Sequence, residues 1–255
     1  MLRWKKILTL PLFVAAMWPS ASSAGSAIAL CYHTFADRPA IDYDVSPENF
    51  TNQLLNLGQK GYKFVFLNDI LSNRTKGDLN ILLTIDDAGV SIKSIWPFLV
   101  RHSIKPVIFV YPAIVSRMNY ALTWEDLQKM VREGASIGGH GYNHLYVNQK
   151  LFDTDPQAFN REVYLCGKII RSKLDVSPVL YAYPFGVFSD ITKEQLKLAG
   201  YRYAFSLRNG DLKLPISGNP DPMNLPRYMV TKSSWKWVWP ILVRRTAEPA
   251  KDRGK

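Results

Sequence analysis

From residue 28 onward, short apolar runs rich in β-branched and aromatic residues alternate with stretches of helical periodicity. That alternation constrains the fold more than any other feature of the chain, because strands separated by helices pair in parallel. The runs fall at residues 28–32, 64–67, 81–85, 107–110, 136–139, 179–183, 203–207 and 225–231. The run at 81–85 is almost continuously apolar, as expected of a strand covered on both faces. Between the runs, Ser46-Pro47-Glu48 opens a helix with Phe50, Leu54 and Leu57 on one face. Thr123 caps another, with Asp126 three residues on. Asp155-Pro156 opens a third, carrying Phe159, Val163 and Ile170. Seven or eight strands in this arrangement predict an α/β fold, a (β/α)7–8 barrel that is irregular or partly open. With 47% hydrophobic residues in 255, the chain can bury one sizeable core, and no repeat or linker divides it.

The start of the chain has a different character. Arg3, Lys5 and Lys6 precede an apolar run over residues 7–18, followed by small residues up to Ala27. This is the layout of a secretory signal peptide, with a cut expected after Ala24. The run is shorter than the roughly 20 residues of a spanning helix. The chain therefore divides into a leader (1–24), one domain (25–245) and a polar tail (246–255), and the expected location is periplasmic or extracellular. Cleavage would remove three of the 32 basic residues and none of the 21 acidic ones, so a positive surplus persists. Such a surplus suits an anionic envelope surface or a membrane face. The chain lacks the extended basic and aromatic pattern of single-strand nucleic-acid binders, so no nucleic-acid partner is expected. The two cysteines, Cys31 in a strand and Cys166 in a helix, are not expected to be bridged. A monomer is expected.

Barrel enzymes carry their chemistry at the C-terminal ends of strands. Here the run at 28–32 leads into His33, and 81–85 leads into Asp86-Asp87. The run at 136–139 leads into His140-Gly141-Tyr142-Asn143-His144, and 179–183 into Pro184-Phe185-Gly186. On a helical turn, the spacing of His140 and His144 puts both imidazoles on one face, where they can share a metal. The chain has only four histidines, which makes the pair less ordinary. Each pair alone also has a plain explanation, as helix caps or surface groups. Together, one carboxylate and two histidines leave metal positions open for water and substrate, the arrangement of a hydrolytic site.

Thr84-Ile85-Asp86-Asp87-Ala88, the stretch from Ser136 through His140 to His144, and Tyr181-Ala182-Tyr183-Pro184-Phe185-Gly186 together resemble three motifs of one family. It is the polysaccharide deacetylases, the NodB-homology domain of carbohydrate esterase family 4. The resemblance spans residues 28–230. It implies one divalent metal ion, usually zinc, held by Asp87, His140 and His144, with Asp86 as the general base. It also implies a backbone N–H at Phe185 that steadies the oxyanion. Many members carry the acid as a histidine near the C-terminus, and this chain has no histidine after His144. Leu30-Cys31-Tyr32-His33 instead resembles the circularly permuted branch, which contains poly-β-1,6-N-acetylglucosamine deacetylases. That resemblance assigns the acid to His33 and favours a polymer of N-acetylglucosamine as substrate.

Two departures stand out. The third-motif arginine is missing, and Arg227 is a candidate to orient Asp86 in its place. Ala88 stands where the family has glycine. These departures motivate an alternative, a catalytically inactive glycan-binding protein of the same fold. Hydrolysis of a small amide is a third option. Tyr142, Tyr183 and Phe185 are candidate sugar platforms, and Trp124 is either another or a core residue. Trp235, Trp237 and Trp239 alternate in a basic stretch. That pattern is read as a strand or turn packed on the barrel, or as a contact with membrane or glycan.

Overall fold

The computed structural model describes residues 25–247. The leader expected at 1–24 and residues 248–255 of the expected tail lie outside the described residues. The described chain opens with β1 (Gly25–Tyr32), two short strands β2 (Thr34–Phe35) and β3 (Asp44–Val45), and helix α1 (Pro47–Gln59). Then follow β4 (Lys63–Phe64), α2 (Leu67–Leu71), β5 (Asn80–Ile85), α3 (Ile92–Arg101), β6 (Val107–Val110), α4 (Trp124–Arg132) and β7 (Ser136–Gly139). After β7 come α5 (Gln149–Thr154) and a helical rod made of α6 (Pro156–Asn160), a π turn (Arg161–Leu165) and α7 (Cys166–Leu174). The chain ends with β8 (Leu180–Ala182), α8 (Asp190–Leu198), β9 (Tyr203–Phe205), β10 (Leu212–Leu214), β11 (Tyr228–Met229) and α9 (Trp235–Ala247).

Nine strands form one mixed sheet in the order β10-β1-β5-β6-β7-β8-β9, with β11 also on β1 and β4 also on β5. All these pairings are parallel except that of β10 with β1. The sheet curls into a half-barrel. Residues 225–230 stretch across its opening: Leu225 exchanges backbone hydrogen bonds with Ala204 and Ser206 beside β9, and Val230 N–H donates to Cys31 on β1. The partly open β/α barrel expected from the alternation is the fold observed.

Strand alternation sorts the core into two layers. Ala27, Ala29, Leu82, Phe109, Ala182 and Phe205 face one cluster. Ile28, Leu30, Tyr32, Leu83 and Ile85 face the other, beneath the helices. Every residue of β5 is buried, and each fully buried aliphatic side chain contributes about 1.5–3 kcal/mol. The three expected helix starts are capped: Ser46 accepts from Asn49 N–H, Thr123 forms a reciprocal capping box with Asp126, and Asp155 accepts from Ala158 N–H. Cys31 and Cys166 are both free and buried.

The run at 64–67 departs from expectation. Only Lys63 and Phe64 pair as strand, and Leu67 begins a short helix that buries Leu67 and Ile70. Four apolar residues carry too little periodicity to separate the two outcomes. The tryptophan stretch is helical, neither strand nor turn. Val238 and Leu242, four apart, are buried on one face of α9, and the Trp235 and Trp239 rings sit 5.7 Å apart. Trp124 is partly buried against the core.

Candidate active site

The C-terminal ends of β1, β5, β7 and β8 surround one cavity, lined among others by His33, Asp86, Asp87, His140, His144, Phe185 and Arg227. β5 delivers the two aspartates. The Asp86 N–H still extends the ladder, donating to Tyr32 O at 2.9 Å. Asp87 and Ala88 then turn into the left-handed region, with φ of 72° and 53°. Backbone of this kind costs non-glycine residues on the order of 1–3 kcal/mol each, and such strain clusters at functional sites. The turn separates the two carboxyls, so that Asp86 is sunk in the barrel and Asp87 faces the histidines.

His140 follows β7 and is buried. Its Nδ1 lies 2.7 Å from Ala182 O. A carbonyl can only accept, so Nδ1 carries a proton and Nε2 is the nitrogen turned to the aspartates. That Nε2 is 3.4 Å from Asp87 Oδ1 and 3.7 Å from Asp86 Oδ2. His144 Nε2 is 3.5 Å from the same Asp87 Oδ1. The two histidines converge, though not on a helical turn as their spacing predicts. Residues 140–144 form an irregular loop in which Gly141 and His144 both have positive φ.

Asp87, His140 and His144 each offer one ligand-type atom, all within 4.8 Å of one another. Asp87 Oδ1 is buried and has no hydrogen-bond partner among the described residues. An orphaned carboxylate oxygen facing two imidazole nitrogens is costly unless a cation joins them. With metal–ligand bonds of about 2.0–2.1 Å, tetrahedral donors lie about 3.3 Å apart, close to the separations seen. The nitrogen and oxygen donor set suits zinc or a similar divalent ion. These residues therefore fit the metal that the family resemblance implies. Cys31, His33 and Asp86 also cluster, but both oxygens of that aspartate already face a cation.

That cation is Arg227, on the strand end that spans the barrel opening. It is wholly buried. Its Nη1 and Nη2 donate to Asp86 Oδ1 and Oδ2, each at 2.7 Å, and its Nε donates to Ser206 O at 3.1 Å. The guanidinium also lies over the Phe109 ring. Burial alone would raise the Asp86 carboxyl, but Arg227, then His140 and His33, outweigh it and hold the group well below the usual carboxylate range. His33 also approaches Asp86, with Nε2 3.8 Å from Oδ2 and Nδ1 4.0 Å from Cys31 Sγ. Burial lowers the His33 imidazole despite the neighbouring aspartates. Burial, followed by the charge of His140, pushes His144 down to about 4.

The three aromatics expected at the mouth part company. Phe185, on a left-handed turn after β8, is 47% exposed and meets the His144 ring edge at 4.5 Å. Tyr183 is fully buried, and its hydroxyl donates to Met223 O. Tyr142 packs partly buried against the outer core. Tyr146 and Tyr43 hold positions that sequence reasoning missed. The Tyr146 ring is exposed and stacks on Phe185 at 4.2 Å, and Tyr43 lies 5.1 Å from the His33 ring. Both sit in loops without a regular pattern, and only their nearness to His33 and His144 in the chain could have flagged them.

A half-barrel with paired carboxylates, paired histidines and a further histidine at the strand ends defines a hydrolase of the NodB type. The polysaccharide deacetylase model matches residues 73–204, and the chain belongs to that family. It is a polysaccharide deacetylase. The chain is similar to the poly-β-1,6-N-acetyl-D-glucosamine N-deacetylase of Staphylococcus aureus, at 23% identity over 208 residues, 76% of this chain and 70% of that one. Its structure is similar to that of IcaB from Ammonifex degensii, with a TM-score of 0.73 and 26% identity, covering 86% of this chain and 97% of the other. The Streptococcus pyogenes deacetylase PplD, solved with acetate, shares the fold at a TM-score of 0.73 and 21% identity, with 88% and 99% covered.

Proposed function

We propose that this chain is an exported, metal-dependent N-deacetylase of a poly-N-acetylglucosamine polysaccharide. The observation that carries the proposal is the convergence of Asp86, Asp87, His33, His140, His144 and Arg227 on one cavity. Asp87, His140 and His144 would hold one divalent ion, zinc by the donor set. Bound there, the ion would polarise the acetyl carbonyl and lower the pKa of water.

The protein's own groups supply the rest. Asp86 takes a proton from the attacking water at Oδ2. Arg227 grips both oxygens of that carboxylate, leaves each a further lone pair, and keeps the group ionised and fixed in direction. The Phe185 N–H steadies the oxyanion as the carbonyl carbon becomes tetrahedral. The proton taken by Asp86 has 3.8 Å to cross to His33 Nε2, and His33 passes it to the amide nitrogen as the C–N bond breaks, so that acetic acid and the free amine leave and both groups return to their starting states. The exposed Phe185 and Tyr146 rings offer a face for a sugar ring.

Poly-β-1,6-N-acetylglucosamine is favoured by the likeness to the S. aureus deacetylase. Export, a monomeric state and peripheral contact with an envelope surface belong to the same reading. Export rests on the composition of residues 1–24. The test is acetate release by the zinc-loaded protein from poly-β-1,6-N-acetylglucosamine, chitin oligomers, peptidoglycan and acetylated xylan. The wild type is expected to act on the first most rapidly. Asp86→Asn is expected to lose about 10²–10⁴-fold. Binding without acetate release by the wild type would support the inactive glycan-binding alternative instead.

A further inference from the structure

Glu162 is a fully buried carboxylate that the mechanism above does not use. It stands in the π turn between α6 and α7. An extra residue in a helical turn shifts the phase of side chains by about 100°, and π turns recur at functional sites. This one directs Glu162 at the loop after β7. Four N–H donors reach the carboxylate, all from that loop. Tyr142 N–H and Leu145 N–H donate to Oε2 at 3.0 and 3.2 Å; Asn143 N–H and its side-chain amide donate to Oε1 at 2.9 and 3.2 Å. The loop has no helical ladder of its own, so these bonds stand in for one. Gly141, with φ of 73°, lets the loop pass close: a Cβ there would collide with Glu162 Oε2.

The two histidines are held by different means. His140 has its own bond to Ala182 O. His144 sits between Asn143 and Leu145, in a left-handed conformation, with ring contacts to Phe185, Tyr111 and His140 about it. Its direction is therefore set by the loop.

We infer that Glu162 is a positioning residue that shapes residues 141–145 around its carboxylate and so aims His144 Nε2 at Asp87 Oδ1. The inference rests on the reading of Asp87, His140 and His144 as metal ligands. Glu162→Gln keeps the shape but turns an acceptor oxygen into a donor facing N–H groups, leaving them unpaired. Glu162→Asp keeps two acceptors on a shorter stem.

The test joins two measurements on the full chain. The first is hydrogen exchange of the Tyr142, Asn143 and Leu145 amides in metal-free protein. Exchange is expected to be at least about tenfold faster in Glu162→Gln and partly restored to slow exchange in Glu162→Asp. Unchanged exchange in a folded Glu162→Gln overturns the inference whatever the metal does. The second is zinc affinity by chelator competition, where groups that orient ligands typically matter about 10–100-fold. Glu162→Gln is expected to lose affinity in that range, and to recover kcat at saturating zinc with an unchanged KM. Added to His144→Ala, it is expected to cause no further loss, because it acts through His144. Equal losses in both backgrounds would mark a general structural effect and overturn the inference. A wild type that binds no zinc, with exchange still dependent on Glu162, would overturn the metal-aiming role and the metal reading while leaving the loop anchor standing.

Discussion

Asp86 and Arg227 form the most demanding contact in the molecule. Both are buried, and two charges taken from water are costly unless their geometry is good and every remaining group is satisfied. The forked pairing, with Nε on Ser206 O, meets that condition. Removing one partner leaves the other charge uncompensated. Arg227→Met is therefore expected to cost about 3–5 kcal/mol of stability, read as a lowered denaturation midpoint. Arg227→Lys keeps the charge but cannot grip two oxygens in a plane. It is expected to fold and to lose more in kcat than in KM, measured by acetate release. The Asp86–Arg227 contact joins residues 141 apart, a distance at which no local pattern operates. Arg227 was a candidate in the sequence only because a charge was missing elsewhere. Asp86 and His140 were legible because each follows directly on a strand run, and Asp87 and His144 because they stand one and four residues further on.

At the level of elements, local chemistry wins where a cap or a face is explicit. The box at Thr123 and Asp126 starts α4 as the sequence suggests. Burial alone would raise the Asp126 carboxyl, but Lys93 at 2.8 Å and the Thr123 bonds outweigh it and keep the group below its usual range. A depressed carboxyl contributes stability above its unfolded pKa of about 3.9, and that contribution fades as pH falls through the folded value. Thr123→Ala is expected to cost about 1 kcal/mol, and so to lower Tm by roughly 2–4 °C at pH 7. Asp126→Asn is expected to destabilise at pH 7 and to match the wild type near pH 2, by thermal melts at both values. In α9 the alternating tryptophans imitate a strand, while the spacing of Val238 and Leu242 is helical. Leu242→Ala is expected to cost about 2–5 kcal/mol, and Trp237→Ala, 69% exposed, to stay within about 0.5 kcal/mol. Paired urea titrations would check both.

Across the whole molecule, the curl of the sheet assembles the site from both ends of the chain. β1 lies beside β5, so His33 arrives next to Asp86. The segment at 225–230 crosses from β9 to β1 and carries Arg227 into the barrel. The alternation of strands and helices made a partly open barrel legible, because connection handedness and parallel pairing leave few alternatives. The crossing segment was legible only as a last strand, because pairing across the opening depends on how far the sheet curls. The family model covers residues 73–204, which excludes His33 and Arg227. Geometry brings both to Asp86, and His33 also has the likeness of the first strand behind it.

The most direct test of the central claim is acetate release from poly-β-1,6-N-acetylglucosamine before and after removal of metal. The wild type is expected to lose activity when stripped with a chelator and to regain it with about one equivalent of zinc. Asp87→Ala is expected to regain little under the same conditions, because it lacks the orphaned oxygen that faces both histidines. Full activity in protein shown to be free of metal would contradict the account, as would full restoration of Asp87→Ala by one equivalent of zinc.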